Sequence, residues 1–219
     1  MQLVEQVGTN CKEKYFKFVG HVLDDRFTWV GHVEHICKKL ASANFAINST
    51  KNVLPLKIRK TLYYSMFDSH LNFGNLLWGC ANKNLINKVE NLQKRCIRNV
   101  GLKNFKLSDK LSYCRSIFMH QYKNNKLPTS FSDKFVDITC TDELQTRHND
   151  YNFVNKPACK SYLEKFPYKQ ILSNWNSLNI DLKSTADGEI FKQMLKEMYP
   201  SKYSCESQCL GPCYSCSTK

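Results

Sequence analysis

The strongest chemical signal in this sequence is a run of basic side chains near the middle of the chain. Residues 83–110 contain eight Lys and Arg residues against two acidic residues. At about 3.6 residues per helical turn, Lys88, Arg95 and Arg98 lie opposite an apolar stripe of the same segment. The stripe consists of Leu85, Val89, Leu92 and Cys96. Such a face can contact phosphates and release counterions, which gives salt-sensitive binding without base readout.

The predicted nucleic-acid-binding residues of this segment are Lys88, Lys94, Arg95 and Arg98. The whole chain is basic as well, because 32 Lys and Arg residues stand against 19 Asp and Glu residues, a net charge of +13. An excess of this size favours a polyanionic partner, either nucleic acid or an anionic membrane surface. The alternative is a helix face that is solvated and has no ligand.

A second set of reactive side chains lies at the C-terminal end of the sequence. The last fifteen residues contain Cys205, Cys209, Cys213 and Cys216. Four thiolates this close could bind one tetrahedral Zn²⁺ ion, and Gly211 and Pro212 would help the chain to turn between them. The spacing differs from that of a zinc knuckle, and no histidine lies among the cysteines. A tail with free thiols is the alternative.

Two further groups could do chemistry, but we predict structural roles for both. Asp24 and Asp25 follow Val22–Leu23, and two adjacent acids do not by themselves make a two-metal centre, so we interpret them as a strand-end or turn feature. His32 and His35 have the spacing of neighbours on a helix, but a metal site needs three or four convergent ligands. We predict capping or packing roles for these histidines and no catalytic residue in the chain.

Hydrophobic periodicity predicts a mainly α fold with a short N-terminal β-hairpin, a helical bundle and a loop-rich C-terminal region. Residues 14–24 alternate and indicate two strands around a turn at Gly20. Helical spacing begins after Thr28, the predicted N-cap. The predicted helices cover 29–48, 55–71, 84–100, 108–124 and 188–198. The predicted segments are a hairpin at 1–27, a helical domain at 28–125, a helical and loop region at 126–200 and a cysteine-rich tail at 201–219.

The sequence also bears on compartment. Its longest apolar runs are a few residues, far below the roughly 20 needed to cross a bilayer, so no membrane span is predicted. The first residues contain no apolar core of a secretory signal. Eleven cysteines without such a signal favour reduced thiols in the nucleus or cytoplasm over a secreted, disulfide-linked protein.

Five blocks, in this order along the chain, resemble the region after the polymerase palm in reverse transcriptases of jockey-like non-LTR retrotransposons. The first block is carried by Lys17, Phe18, Gly20, Asp24, Phe27, Trp29 and His32. The second is carried by Leu54, Pro55, Leu62, Tyr63, Ser69, Leu71, Phe73, Gly74, Trp78 and Gly79. The third is carried by Leu92, Gln93, Lys94, Arg95, Ile97 and Arg98. The last two are Thr146–Arg147 and Trp175–Asn176–Ser177–Leu178.

The resemblance implies a thumb-like helical domain that holds an RNA or DNA primer–template duplex. It implies that Lys17 and Gly20 lie in a turn that positions the primer end. The aromatic-Ala-Asp-Asp turn that holds the catalytic metals in this family has no counterpart here, so we expect a fragment that is inactive alone and whose partner is the missing palm and fingers. We further expect Met1 to begin a truncated copy. A stand-alone basic module that binds RNA or DNA without catalysis is the alternative.

Overall fold

The computed structural model describes residues 4–6, 15–102, 106–131, 134–135, 151–154 and 166–199. These residues form two compact units, one within residues 1–107 (unit 1) and one within residues 108–202 (unit 2). The chain is mainly helical and its helices follow an N-terminal antiparallel hairpin, which confirms the predicted fold class. The predicted segment boundaries stay predictions.

Unit 1 begins with a small antiparallel sheet. Its strands are β1 (Val4–Gln6), β2 (Tyr15–Phe18) and β3 (His21–Asp24), in that spatial order. Phe18 lies opposite His21, so the hairpin turn is the two-residue loop Val19–Gly20. Both turn residues have positive φ, 45° at Val19 and 79° at Gly20, as in the type I′ turns whose twist matches that of the strands. Glycine takes up this conformation without the steric cost that valine has there.

Helix α1 (Val30–Ser49) starts differently from the prediction. Trp29, with φ 64°, occupies the N-cap position, and Thr28 is one residue outside it. The carboxylate of Asp24 accepts the backbone N–H groups of Thr28 at 2.9 Å and Trp29 at 3.1 Å. The prediction of Thr28 as the N-cap was therefore wrong, because a carboxylate from the preceding strand binds the amides at the helix entry. The turn role predicted for Asp24 is confirmed.

The second predicted helix is one helical run with a wide turn in its middle. It consists of α2 (Leu56–Leu62), a π-helical segment (Tyr63–Asp68) and α3 (Ser69–Asn72). Helix α2 buries none of its side chains, whereas Tyr63, Phe67 and Leu71 are each 0% exposed. The core contacts of this run therefore begin at its π-helical segment.

Two more helices complete unit 1. Helix α4 (Asn75–Trp78) is short, and α5 (Lys83–Val100) follows it. The Asn82 side chain accepts the N–H of Asn84 at 3.3 Å, and Gly101, with φ 66°, ends α5 as predicted. Helices α1 and α5 pack on each other. The buried apolar residues of these two helices include Val33, Ile36, Leu40, Ile47, Val89, Cys96 and Val100.

Unit 2 contains α6 (Leu107–Lys123), a short 3₁₀ turn at Thr129–Phe131, α7 (Pro167–Asn176), α8 (Ile180–Ser184) and α9 (Gly188–Met198). Trp175, Phe191 and Leu195 are buried in its core. The ring of His120 stacks on that of Phe191 at 4.1 Å between centroids. Pro167 begins α7, because proline lacks an amide hydrogen and the first helical position has no intrahelical acceptor for one.

The hairpin and the loop before α4 meet so closely that residue 74 has to be glycine. Gly74 has φ 58°, and a Cβ atom there would overlap the imidazole of His21. We expect Gly74→Ala to destabilise the protein by about 2–4 kcal/mol, from the left-handed backbone and from overpacking. Urea denaturation measures this loss.

Gly101→Ala is the matched control. Gly101 also has positive φ, but a Cβ there would lie an ordinary 3.4 Å from Leu56 Cδ1. We expect a cost of about 1 kcal/mol, from the backbone alone. Equal losses in the two variants would contradict close packing of His21 on Gly74.

Candidate nucleic-acid interface

Helix α5 presents its basic side chains on one exposed face. Lys88, Lys94, Arg95 and Arg98 are all exposed. The opposite face is buried and contains Leu85, Val89, Gln93, Cys96, Ile97 and Val100. The sequence placed Leu92 in this stripe, but the structure leaves Leu92 half-buried and buries the polar Gln93. The predicted division into a basic face and an apolar face is thus present, with a polar group inside the apolar side.

The buried Gln93 and two neighbouring contacts fix the rotation of α5 about its own axis. Gln93 Nε2 donates to the hydroxyl of Tyr63 at 3.3 Å, and burial raises the pKa of that hydroxyl well above 10.0. At the end of the helix, Arg59 Nη1 donates to the carbonyl of Asn99 at 2.6 Å. The Asn99 side chain donates to Asn44 Oδ1 on α1 at 3.2 Å. These bonds hold the basic face outward.

One acidic residue lowers the net positive charge of this face. Glu90 Oε1 lies 3.0 Å from Lys94 Nζ, an i,i+4 ion pair at the surface. Exposed pairs of this kind are worth only about 0–1 kcal/mol. Lys94 therefore remains able to exchange its carboxylate partner for a phosphate, but it contributes less net charge than Lys88, Arg95 or Arg98.

Lys88 is a basic residue of α5 whose charge acts on a side chain of α1. Its charge acts on Cys37, whose pKa is raised first by burial and also by Glu34, while Lys88 opposes the rise. The α5 face therefore adjoins the side of α1 that contains Cys37.

Lys17 lies on the other side of α1. It is exposed on β2, and its positive charge lowers the pKa of His35. Successive helical residues are rotated by about 100°, so His35 and Cys37, which are two residues apart, point to nearly opposite sides of α1. The structure therefore places Lys17 on a different side of α1 from the α5 residues.

Gly20 lies at the tip of the hairpin next to an aromatic ring. A Cβ atom there would come within 3.2 Å of the ring of Phe73, which is 49% exposed. Phe73 in turn stacks on His21, with 4.8 Å between centroids. The predicted turn at Gly20 is present, and its close neighbour is this ring.

His32 ties the hairpin to α1 and is 1% exposed. Its Nδ1 accepts the N–H of Val22 at 3.2 Å, so in the neutral ring the proton is on Nε2, which lies 3.1 Å from Nδ1 of His21. Burial lowers the pKa of His32 to about 4, and the charges of His21, His35 and Lys39 act in the same direction. The packing role that the sequence suggested for His32 is confirmed.

The two tryptophans of unit 1 are core residues, as the sequence favoured. Trp29 is 5% exposed and Trp78 is 0% exposed. The indole N–H of Trp78 donates to the carbonyl of Phe73 at 2.9 Å. Neither ring offers a free face for stacking on a base.

The structure tests metal binding only within the described residues. No group of three or more His, Cys, Asp or Glu side chains within the described residues could hold a metal ion. The predicted zinc ligands Cys205, Cys209, Cys213 and Cys216 lie outside those residues, so zinc binding stays a prediction. The described cysteines Cys37, Cys80, Cys96 and Cys114 form no disulfide among themselves.

The chain was also compared with known proteins. No protein-family model, curated protein or solved structure matches it. Within the described residues, no helix is long and apolar enough to cross a membrane. The case for a function therefore depends on the charged surface, the contacts around it and the order of the sequence blocks.

The neutral state of His32 predicts how stability depends on pH. Its pKa is about 4 in the folded chain against 6.5 for an ordinary histidine, so the unfolded chain takes up the proton first as the pH falls. Stability is complete above about pH 6.5 and declines towards pH 4, by on the order of 3 kcal/mol in total. Urea denaturation between pH 7.5 and 4 measures the slope.

His32→Gln should lower stability at pH 7.5 and flatten the decline below pH 6.5, because it removes the group that takes up the proton. His35→Gln, at a half-buried position on the same helix, serves as the control and should keep most of the slope. An unchanged slope in His32→Gln would show that another group causes the acid sensitivity.

Proposed function

We propose that unit 1 binds the phosphate backbone of nucleic acid through the exposed basic face of α5. The main support for this proposal is that one exposed face of α5 contains Lys88, Lys94, Arg95 and Arg98, while the opposite face of the helix is buried in the core. At about 1.5 Å per residue, Lys88 and Arg98 are about 15 Å apart along the axis. That length corresponds to about four phosphates of one DNA strand, which are about 3.4 Å apart along the duplex axis.

The finer proposal is that this binding is the primer–template contact of a non-LTR reverse transcriptase whose catalytic carboxylates lie outside this chain. The contacts among the resembling blocks support it. Asp24 and His32 of the first block join the hairpin to α1, and Gly74 of the second block receives His21. Residues that are far apart in sequence thus depend on one another, as residues of one inherited module would.

The alternative is a stand-alone module that binds RNA or DNA without catalysis. The DNA immediately upstream of the Met1 codon separates the two proposals. An in-frame sequence that encodes an aromatic-Ala-Asp-Asp turn, intact or decayed, is the expected outcome for a polymerase fragment. Unrelated DNA with a genuine promoter would favour the stand-alone module.

Salt dependence tests the α5 face directly. We expect duplex affinity to fall steeply with salt, and the variant Lys88→Gln/Arg95→Gln/Arg98→Gln to reduce the slope of log K against log salt by about 2–3. Fluorescence anisotropy with a labelled duplex measures both. A slope that is unchanged in the triple variant would contradict phosphate binding by α5.

A charge-matched control and a variant of opposite sign make the test specific. Arg26→Gln/Lys51→Gln/Lys57→Gln removes the same charge from exposed positions outside α5 and should leave the slope almost unchanged. Glu90→Gln releases Lys94 from its carboxylate and should raise affinity about two- to fivefold, the size expected for an exposed pair. Misfolding does not produce such a gain.

A further inference from the structure

A second basic surface lies on the hairpin side of α1. Tyr15 and Lys17 are two residues apart on β2 and therefore point to the same side of the hairpin. The Tyr15 ring lies so close to Gly31 that a Cβ atom there would come within 2.7 Å of it. His35 is four residues beyond Gly31 and Lys39 is four beyond His35, so these three positions follow one face of α1.

Helix α3 adds a fourth basic group to this surface. It packs on α1 through the adjacent π-helical segment and through its own residues. The pKa of His70 is lowered first by burial and then by the charge of Lys39. The pKa of His35 is also lowered first by burial, and then by Lys39, Lys17, Lys38 and His70. Three elements thus bring positive groups together around His35.

The acidic residues of the elements that surround His35 are directed elsewhere. The carboxylate of Asp24 accepts the amides at the start of α1. Glu34 lies on the side of α1 that contains Cys37, where it raises the pKa of that thiol. Asp68 is buried and accepts the side-chain amide of Asn72 at 2.9 Å. The charges that act on the pKa of His35 are therefore those of lysines and of His70.

One acid lies in register with this surface on the outer strand. Glu5 of β1 is the residue that pairs with Lys17 in the backbone register of β1 and β2. Lys39 is therefore the lysine that contributes most to the positive charge beside the two histidines. Lys39 is exposed, and its charge lowers the pKa of both His35 and His70.

We propose that Lys17, His35, Lys39 and His70 (the hairpin-side surface) form a second phosphate-binding site for nucleic acid, which gains affinity as its histidines become protonated. This inference deepens the proposed function and takes nucleic acid as the ligand from it. Helix α1, about 10–12 Å across with its side chains, lies between this site and the α5 face. Lys39 attracts the phosphate over the whole pH range, and the two histidines supply the change in charge.

The sign of the pH dependence follows from the surroundings. Burial and neighbouring lysines hold the pKa values of His35 and His70 below 6.5, so both rings are neutral at pH 7.5. A phosphate placed between the rings favours their protonated form. Binding therefore takes up protons, and affinity rises as the pH falls.

The experiment measures binding of a labelled duplex to the full chain between pH 7.5 and 5.8 at constant ionic strength. We expect affinity to rise about tenfold over this range, as two histidines gain charge beside phosphates. In His35→Gln/His70→Gln the affinity should change less than twofold over the same pH range, because neither replaced side chain can take up a proton. Circular dichroism at each pH confirms that the protein stays folded.

Lys39→Gln gives a second and independent readout. It removes a charge that lowers the pKa of both histidines, so the rise in affinity should begin at a higher pH, while affinity at pH 7.5 falls. A purely structural role of Lys39 would not move the midpoint. A midpoint that stays in place would overturn the proposal, as would a pH dependence that persists in the double histidine variant.

The α5 triple variant separates this proposal from the first one. The α5 face contains only Lys, Arg and Glu90 as charged groups, so its loss should weaken binding and leave the pH dependence intact. If the triple variant binds normally while the double histidine variant loses the pH dependence, the α5 proposal fails and the second site stands. Binding of anionic phosphatidylserine vesicles without any binding of duplex would overturn the second site as a nucleic-acid site.

Discussion

The hydrogen bond from the Val22 amide to a neutral His32 is the contact on which the arrangement of unit 1 depends. This bond joins strand β3 to α1 at a buried position, and Nε2 of the same ring lies 3.1 Å from Nδ1 of His21. His21 in turn stacks on Phe73 and fills the space that Gly74 leaves open. Protonation of His32 would place a second N–H against the Val22 amide, so the contact requires an uncharged ring. The hairpin, α1 and the loop before α4 are thereby coupled through one titratable residue.

This coupling also determines where the positive charges lie. The hairpin is held on one side of α1, and α5 is held on another through Asn44 and the shared apolar core. The basic side chains of unit 1 are therefore divided between two surfaces with different chemistry. The α5 face contains groups whose charge is constant near neutral pH, whereas the hairpin-side surface contains two histidines. The α5 face would therefore attract nucleic acid equally at all pH values near neutral, whereas the attraction of the hairpin-side surface would depend on pH.

Several residues that carry the resemblance connect segments of the chain. In unit 2, Trp175 Nε1 donates to the carbonyl of Tyr151 at 2.8 Å. The side chain of Asn176 accepts the amide of Phe153 at 3.2 Å and donates to its carbonyl at 2.9 Å. Asp24, His32, Gly74 and Trp78 make comparable connections in unit 1. The candidate binding residues lie around this framework, which explains why the motif tryptophans are buried.

The sequence by itself determined the class of fold, the limits of α5 and α9, the turn at Gly20 and the division of α5 into a basic and an apolar face. These features are local, because periodicity, a glycine and a proline act within a few residues. Only the tertiary structure decided that Asp24 caps the entry of α1, that Gln93 is buried against Tyr63, and that Lys17 and Lys88 belong to different surfaces. Each of these depends on which segments meet in space. Spacing along the chain fixes the side of a helix on which a residue lies, whereas its neighbour across a packed interface is fixed only when the core forms.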